Sequence, residues 1–173
     1  MKNGLSFTSV EILAPGRTAV LLACALALAA ATHERNAVWS SEVTLWESVA
    51  RRDITDSRTL VNLGTAYRNQ GKYDDAFAAY SRALRRETSS EAHNGLGLAL
   101  ASLGRHAEAE QHFLEAIRLA PRSTDVYVNL GLLYLSPAFR NSVAARRAFE
   151  NALRIDPELG QARLFLGYLE RQQ

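Results

Sequence analysis

Four glycines, Gly64, Gly97, Gly131 and Gly167, each follow a leucine and recur at intervals of 33, 34 and 36 residues. A nearly constant period of this length indicates a solenoid, in which similar supersecondary units stack on one another. A glycine inside a helix costs about 1 kcal/mol relative to alanine. We therefore predict that each glycine is needed for close packing and that the chain presents an extended surface.

Other positions repeat in the frame set by these glycines. They are Tyr67, Leu100 and Tyr134, then Gly71 and Gly104, then Ala76, Ala109 and Ala145, then Tyr80, Phe113 and Phe149, then Ala83, Ala116 and Ala152, and finally Thr88, Pro121 and Pro157. This combination resembles the tetratricopeptide repeat over about residues 57–173. The resemblance implies an all-α solenoid of about three helix-turn-helix repeats with capping helices.

The repeat frame also predicts the domain boundaries. We expect an N-terminal tail at 1–16, a hydrophobic helix at 17–33, a linker and capping helix at 34–56, repeats at 57–89, 90–123 and 124–159, and a C-terminal capping helix at 160–173. The helix pairs are expected at 58–70 and 73–87, at 90–103 and 106–119, and at 124–135 and 142–155. The two extra residues of the third repeat fall in the turn at 136–141.

The apolar segment is uncharged over residues 18–32 and follows Arg17. Fifteen apolar residues are few for a membrane-spanning helix, which usually needs about 20. The same segment has the length of the apolar region of a secretory signal, and Ala-x-Ala cleavage sites occur within it. A single-pass membrane anchor is the favoured interpretation. A cleaved signal and a buried helix of a soluble domain stay open.

The segment that follows resembles a known junction. Arg35-Asn36, Trp39, Glu42 and Leu45-Trp46 are similar to the link before the repeats in transmembrane-and-tetratricopeptide mannosyltransferases and their bacterial relatives. This resemblance implies that the chain is the C-terminal end of such a protein or a stand-alone descendant, with its repeats on the periplasmic or extracytoplasmic side. The catalytic acidic residues of that family lie in early membrane loops, so none is carried over to this sequence.

The sequence offers no pattern typical of catalysis. Cys24 is the single cysteine, and the four histidines lack the spacing of four residues that places two metal ligands on one helical face. His106 and His112 lie six residues apart, and packing explains them better than metal binding. The formal net charge is +2, which gives no strong attraction for nucleic acid. We therefore expect no enzyme activity, no cofactor, no metal and no nucleic-acid partner.

The first helix of each repeat is expected to line a concave face that binds a protein or peptide. The predicted binding residues are Arg58, Val61, Asn62, Thr65, Arg68, Asn69, Asn94, Leu98, Val128, Asn129, Leu132, Leu164 and Tyr168. Members of the family with an asparagine ladder grip a peptide backbone through one asparagine per repeat. Asn62 and Asn129 match that pattern and Gly95 interrupts it, although Asn-Leu-Gly is also a common repeat variant.

Three functional hypotheses follow from these observations. The first is a membrane-anchored scaffold that recruits a protein or peptide. The second is an accessory domain of a membrane glycosyltransferase, and the third is a secreted or periplasmic adaptor released by signal cleavage. Chaperone-tail binders of the family clamp a carboxylate with lysines. Val61 and Glu91 hold those positions here, so that clamp is not expected. Self-association through the ends of the solenoid stays open.

Overall fold

A computed structural model of the protein describes residues 41–51 and 56–171, which form eight α-helices and no strand. The helices are α1 (Glu42–Arg51), α2 (Ser57–Asn69), α3 (Tyr73–Arg86), α4 (Ser90–Ser102), α5 (His106–Leu119), α6 (Thr124–Leu135), α7 (Ser142–Ile155) and α8 (Gly160–Glu170). Each helix packs against the next along the chain, and α4 also contacts α2 and α6. The predicted all-α solenoid is confirmed for these residues.

Local signals fix where the helices begin and end. The Ser89 hydroxyl accepts a hydrogen bond from the backbone N–H of Ala92, and the Asn141 side chain accepts one from Ala144 at the start of α7. Such caps satisfy N–H groups that have no partner within the helix. Gly71 and Gly104 have φ angles of +74° and +77°, so both adopt the left-handed conformation that ends a first helix.

An aromatic ring of each second helix lies against the glycine of its first helix. A Cβ added at Gly131 would lie 2.6 Å from Cε1 of Phe149. The corresponding distances are 2.8 Å between Gly64 and Tyr80 and 2.8 Å between Gly97 and Phe113. Real Cβ atoms essentially never approach a neighbour within 3.0 Å. The recurring glycines are therefore required by the rings, as the sequence frame predicts.

Gly167 is the exception among the four framing glycines. A Cβ at this position would meet only Nη1 of Arg171, at 3.7 Å. Ion pairs surround α8, since Arg163 pairs with Glu158 at 2.7 Å and Glu170 lies 3.8 Å from Arg146 on α7. This helix closes the core, where Ala162 is fully buried and Phe165 stacks on Phe149.

Small residues let the helices of a pair and of adjacent repeats approach closely. The alanines at the repeated small positions are all 0% exposed: Ala76, Ala83, Ala109, Ala116, Ala145 and Ala152. Together with the rings they form a core that runs along the array rather than a central globule. At its start, α1 packs on α2, Val43 of α1 is 4% exposed, and the Tyr67 hydroxyl donates to Glu47 at 2.6 Å. The helix α1 therefore has the position expected of an N-terminal cap.

The turn with two extra residues returns to the repeat geometry at its end. The backbone N–H of Asn141 donates to the carbonyl of Tyr134, as that of Arg105 does to Leu100 in the repeat before. Arg140 therefore occupies the position that Gly104 has in the preceding repeat. Its φ angle of +46° lies in the left-handed region, which favours glycine.

No helix among residues 41–51 and 56–171 is long and apolar enough to cross a membrane. The predicted hydrophobic helix at 17–33 and the tail at 1–16 lie outside the described residues.

Candidate functional site

The first helices form a common surface because they contact one another directly. The helix α2 packs on α4, and α4 packs on α6. A solenoid curves toward the side on which its repeats approach most closely, and this side offers an extended concave surface for binding. Three depressions lie along it, and most of the predicted binding residues line one of them.

One large depression, of about 780 Å³, is shared by repeats one to three. It is lined by Val61, Thr65 and Arg68 from α2, Glu91, Asn94, Gly95 and Leu98 from α4, and Arg122, Asp125 and Val126 near the start of α6. Tyr80 reaches it from α3. Five of the predicted binding residues are thus brought together on one surface, with polar and apolar groups interleaved.

Two smaller depressions extend the concave surface. One, of about 290 Å³, lies between α4 and α6 and is lined by Leu98, Asn129 and Leu132 together with His106 and Ser136. The other, of about 410 Å³, lies at the start of α2, where Arg58, Val61 and Asn62 face Glu87 and Glu91. The shared residues Leu98 and Val61 link both to the large depression.

The remaining four predicted residues lie elsewhere. Asn69 is exposed at the end of α2, where its side chain accepts from Nη2 of Arg68 at 3.4 Å. Leu164 and Tyr168 on α8 are 65% and 47% exposed. Val128, by contrast, is only 3% exposed and packs with Phe149 in the core. The prediction that Val128 is available on the concave face is not met, because α7 and α8 cover it.

The asparagine arrangement differs from the predicted ladder. Asn129 donates through Nδ2 to Oδ1 of Asn94 at 3.0 Å, so two consecutive repeats are linked by a pair of carboxamides. Gly95, at the ladder position of the second repeat, has no room for a side chain, since a Cβ there would lie 2.4 Å from Cε1 of Tyr80. Asn94, one residue earlier, supplies the amide instead. A glycine two residues before Gly97 was the sequence signal for this departure.

Tyr80 also carries the one hydroxyl among the three core rings. Thr65 donates its hydroxyl proton to the carbonyl of Val61 at 3.0 Å, so the Tyr80 hydroxyl at 2.9 Å donates to the Thr65 oxygen. This bond joins the two helices of the first repeat at the wall of the large depression. Tyrosine in place of phenylalanine at this repeated position was the signal in the sequence.

A contact between two histidines was not predicted. Nδ1 of His93 on α4 lies 2.9 Å from Nδ1 of His112 on α5, and their ring centroids are 5.1 Å apart. Partial burial lowers the pKa of both imidazoles, and the charge of His93 lowers the pKa of His112 further. Residues 41–51 and 56–171 contain no group of three or more histidines, cysteines and carboxylates placed to hold a metal ion.

Comparison with known proteins identifies the class of protein. Residues 61–124 match the family model described as tetratricopeptide repeat. The crystal structure of MamA matches with a TM-score of 0.67 and 26% identity, over 75% of this chain and 75% of that one. The first TPR of Spaghetti (RPAP3), bound to the HSP90 peptide SRMEEVD, matches with a TM-score of 0.63 and 23% identity, over 69% of this chain and 94% of that one. The described part of the chain therefore has the tetratricopeptide-repeat fold, and residues 61–124 are similar in sequence to that repeat.

Curated relatives refine this assignment. Protein O-mannosyl-transferase Tmtc3 of Drosophila melanogaster is 31% identical over 117 residues, which cover 59% of this chain and 13% of that protein. Protein O-mannosyl-transferase TMTC3 of Homo sapiens is 26% identical over 153 residues, which cover 80% of this chain and 17% of that protein. The chain is therefore similar to one part of these proteins and spans less than a fifth of their length.

Proposed function

We propose that this chain is a membrane-anchored scaffold that binds a protein or peptide segment along the surface formed by α2, α4 and α6. The observation that carries this proposal is the depression of about 780 Å³ on that surface. It is shared by three repeats, and it interleaves amide, hydroxyl and guanidinium groups with aliphatic side chains. Binding, rather than catalysis, is the role that such a surface performs.

The chemistry of the surface suits a peptide. Asn94 and Asn129 carry amides, which both donate and accept and therefore match the polar groups of a peptide backbone. Val61, Leu98 and Leu132 line the same depressions and suit aliphatic side chains of the bound segment. A related fold supports the same use, since the RPAP3 domain is bound to a peptide. Leu164 and Tyr168 on α8 are also exposed and are available to a partner, outside these depressions.

The peptide hypothesis is tested by replacing the amides. Partners are captured with the full chain from detergent-solubilised membranes and quantified by mass spectrometry. We expect Asn62→Ala, Asn94→Ala and Asn129→Ala together to lower capture at least tenfold. Asn151→Ala on α7, which lines a different surface, is the matched control and should leave capture unchanged. Equal capture by the triple variant and the control would reject the amide-mediated mode.

Anchoring rests on the uncharged segment at residues 18–32 and on the junction that follows it. We propose that residues 17–33 hold the chain in a membrane and that the repeats face the periplasm. Protease added to intact spheroplasts should then digest the repeats, whereas full protection would reject this orientation. Mass spectrometry of the mature protein separates an anchor from a cleaved signal, because a new N-terminus near residue 30 indicates release as a soluble adaptor.

The similarity to O-mannosyl-transferases favours a second candidate function. In this alternative the chain serves as the repeat domain of a membrane glycosyltransferase and holds acceptor proteins near a catalytic part. A multi-pass membrane sequence in the same or the adjacent reading frame upstream would support it. Co-purification with such a partner through the repeat surface, lost in the triple asparagine variant, would distinguish it from a free scaffold.

A further inference from the structure

Arg68 differs from every other arginine whose side chain the structure describes. Only Arg68 and Arg146 among them are partly buried, and the rest are exposed. Arg146 has a carboxylate partner, with its Nη1 3.8 Å from Glu170. No carboxylate of the described residues lies within ion-pair distance of Arg68. Its Nη2 contacts only the neutral amide of Asn69, at 3.4 Å.

The position of Arg68 makes this lack of a partner costly. Its Nε is shut off from solvent and has no hydrogen-bond partner within the described residues. A buried polar group without a partner destabilises the folded state, and more so when it is charged. Arg68 nevertheless lines the large depression, where a bound segment would meet it. A carboxylate would supply the missing partner, because the planar guanidinium and the carboxylate form paired hydrogen bonds.

Charges of the opposite sign lie at the other end of the same depression. Glu91 and Asp125 stand at the second position of α4 and α6, whereas Arg68 stands at the twelfth position of α2. Ten residues of helix correspond to about 15 Å along the axis. Arg122, in the turn before α6, lies on the side of Asp125. The end near Arg68 is therefore the place where an anion is attracted without direct competition from these acids.

We propose that Arg68 is a carboxylate-binding subsite that selects an acidic group in the peptide bound on the concave surface. This inference rests on the proposed peptide-binding function. The acidic group is an aspartate or glutamate side chain or a free C-terminus, and Val61 and Leu98 contact aliphatic groups beside it. The Tyr80 and Thr65 hydroxyl protons are already used in internal hydrogen bonds, so the guanidinium provides the recognition.

The test is selection from a library of random twelve-residue peptides displayed with their C-termini fused to a phage coat protein. The target is the full chain in mild detergent, as wild type, Arg68→Gln and Arg68→Glu. Arg82→Gln, on the exposed side of α3, is the matched control. Wild type and control should enrich aspartate or glutamate at one position of the aligned peptides. Arg68→Gln should lose this preference, and Arg68→Glu should replace it with lysine or arginine.

Synthetic peptides then separate the two sources of carboxylate. An enriched peptide with its acidic residue changed to the amide should bind wild type at least tenfold more weakly and bind Arg68→Gln as well as the parent peptide does. If the display shows no acidic preference, a peptide with a free C-terminus must bind wild type at least tenfold more tightly than the same peptide with an amidated C-terminus. Arg68→Gln must bind these two peptides equally. Equal binding in both comparisons overturns the subsite and leaves peptide binding intact. Failure to enrich any peptide on any variant overturns both proposals.

Discussion

In several places in this array, one neighbouring side chain explains which residue type is present. Gly131 is small because Phe149 lies against it, and Gly95 is small because Tyr80 does. His93 and His112 share one hydrogen bond, so their protonation states are linked. Substitutions of these residues are therefore expected to have local effects that depend on distances of a few tenths of an ångström.

The contact between Gly131 and Phe149 predicts a difference between two glycines in the same repeat frame. Gly131→Ala should lower the free energy of unfolding by about 1–3 kcal/mol, because the new methyl group overpacks a buried ring. Gly167→Ala should be neutral or stabilise by up to about 1 kcal/mol, because space is available and alanine favours helix. Urea unfolding followed by circular dichroism measures both. Equal effects of the two substitutions would contradict the role assigned to the ring.

The histidine pair predicts that stability depends on pH. A neutral imidazole carries one N–H. The contact between the two Nδ1 atoms therefore requires a proton on one of them and none on the other, and protonation of the second Nδ1 would bring two N–H groups into repulsive contact. The folded pKa of both rings lies below the ordinary 6.5. Stability is therefore full above about pH 6.5 and falls below it, because the unfolded chain takes up protons first. The nearby charges are paired, Arg105 before α5 with Glu108 and Arg118 with Glu115 on α5.

Urea midpoints between pH 5 and pH 8 test this dependence. His93→Gln should reduce the rise in stability with pH, whereas His106→Gln, outside the pair, should retain it. An unchanged slope in His93→Gln would show that the pair does not titrate as described.

The two helices of each repeat are joined by a turn that ends in a left-handed residue, although the turns differ in length. Gly71 and Gly104 close the turn in the first two repeats, and Arg140 closes the longer one. The hydrogen bond from Asn141 to Tyr134 then restores the frame. The two inserted residues stay within the turn, because the residue before the second helix makes the same kind of backbone hydrogen bond to the first helix as in the repeat before.

The turn predicts opposite effects of two substitutions. Arg140→Gly should raise the free energy of unfolding by about 0.5 kcal/mol, because relief of left-handed strain of about 1–2 kcal/mol exceeds the greater entropy of an unfolded glycine. Gly104→Ala should lower it by about 1 kcal/mol, since it adds that strain. Thermal and urea unfolding give both values. Destabilisation by Arg140→Gly would mean that its side chain stabilises the turn in another way.

The described helices form a linear array in which each repeat packs on its neighbours. Stability in such arrays is approximately a sum of repeat and interface contributions. A change at one end should therefore weaken that end and leave the far end largely unaffected. The same linearity allows one long surface to carry several independent subsites.

This linearity is tested at the N-terminal cap. Val43→Asp places a carboxylate at a site of α1 that is 4% exposed, so it should weaken the packing of α1 on the array. Hydrogen exchange measured by mass spectrometry should become at least tenfold faster in α1 and α2 and change less than twofold in α6 to α8. Glu42→Gln, at an exposed neighbouring position, is the control. Uniform acceleration over all helices would indicate one cooperative unit instead.

The sequence alone predicts the helix pairs and the glycine turns between them, because these depend on local propensity and on a repeated spacing that is visible in the chain. For the same reason it predicts that Val61, Thr65, Arg68, Asn94 and Leu98 share one surface, and these five residues line one depression. Three features could be seen only in the packed helices: Val128 is covered, Asn94 pairs with Asn129, and His93 contacts His112. These contacts depend on how side chains from separate helices fit together within a fraction of an ångström. That fit is decided by packing, and the repeat spacing of the sequence does not reveal it.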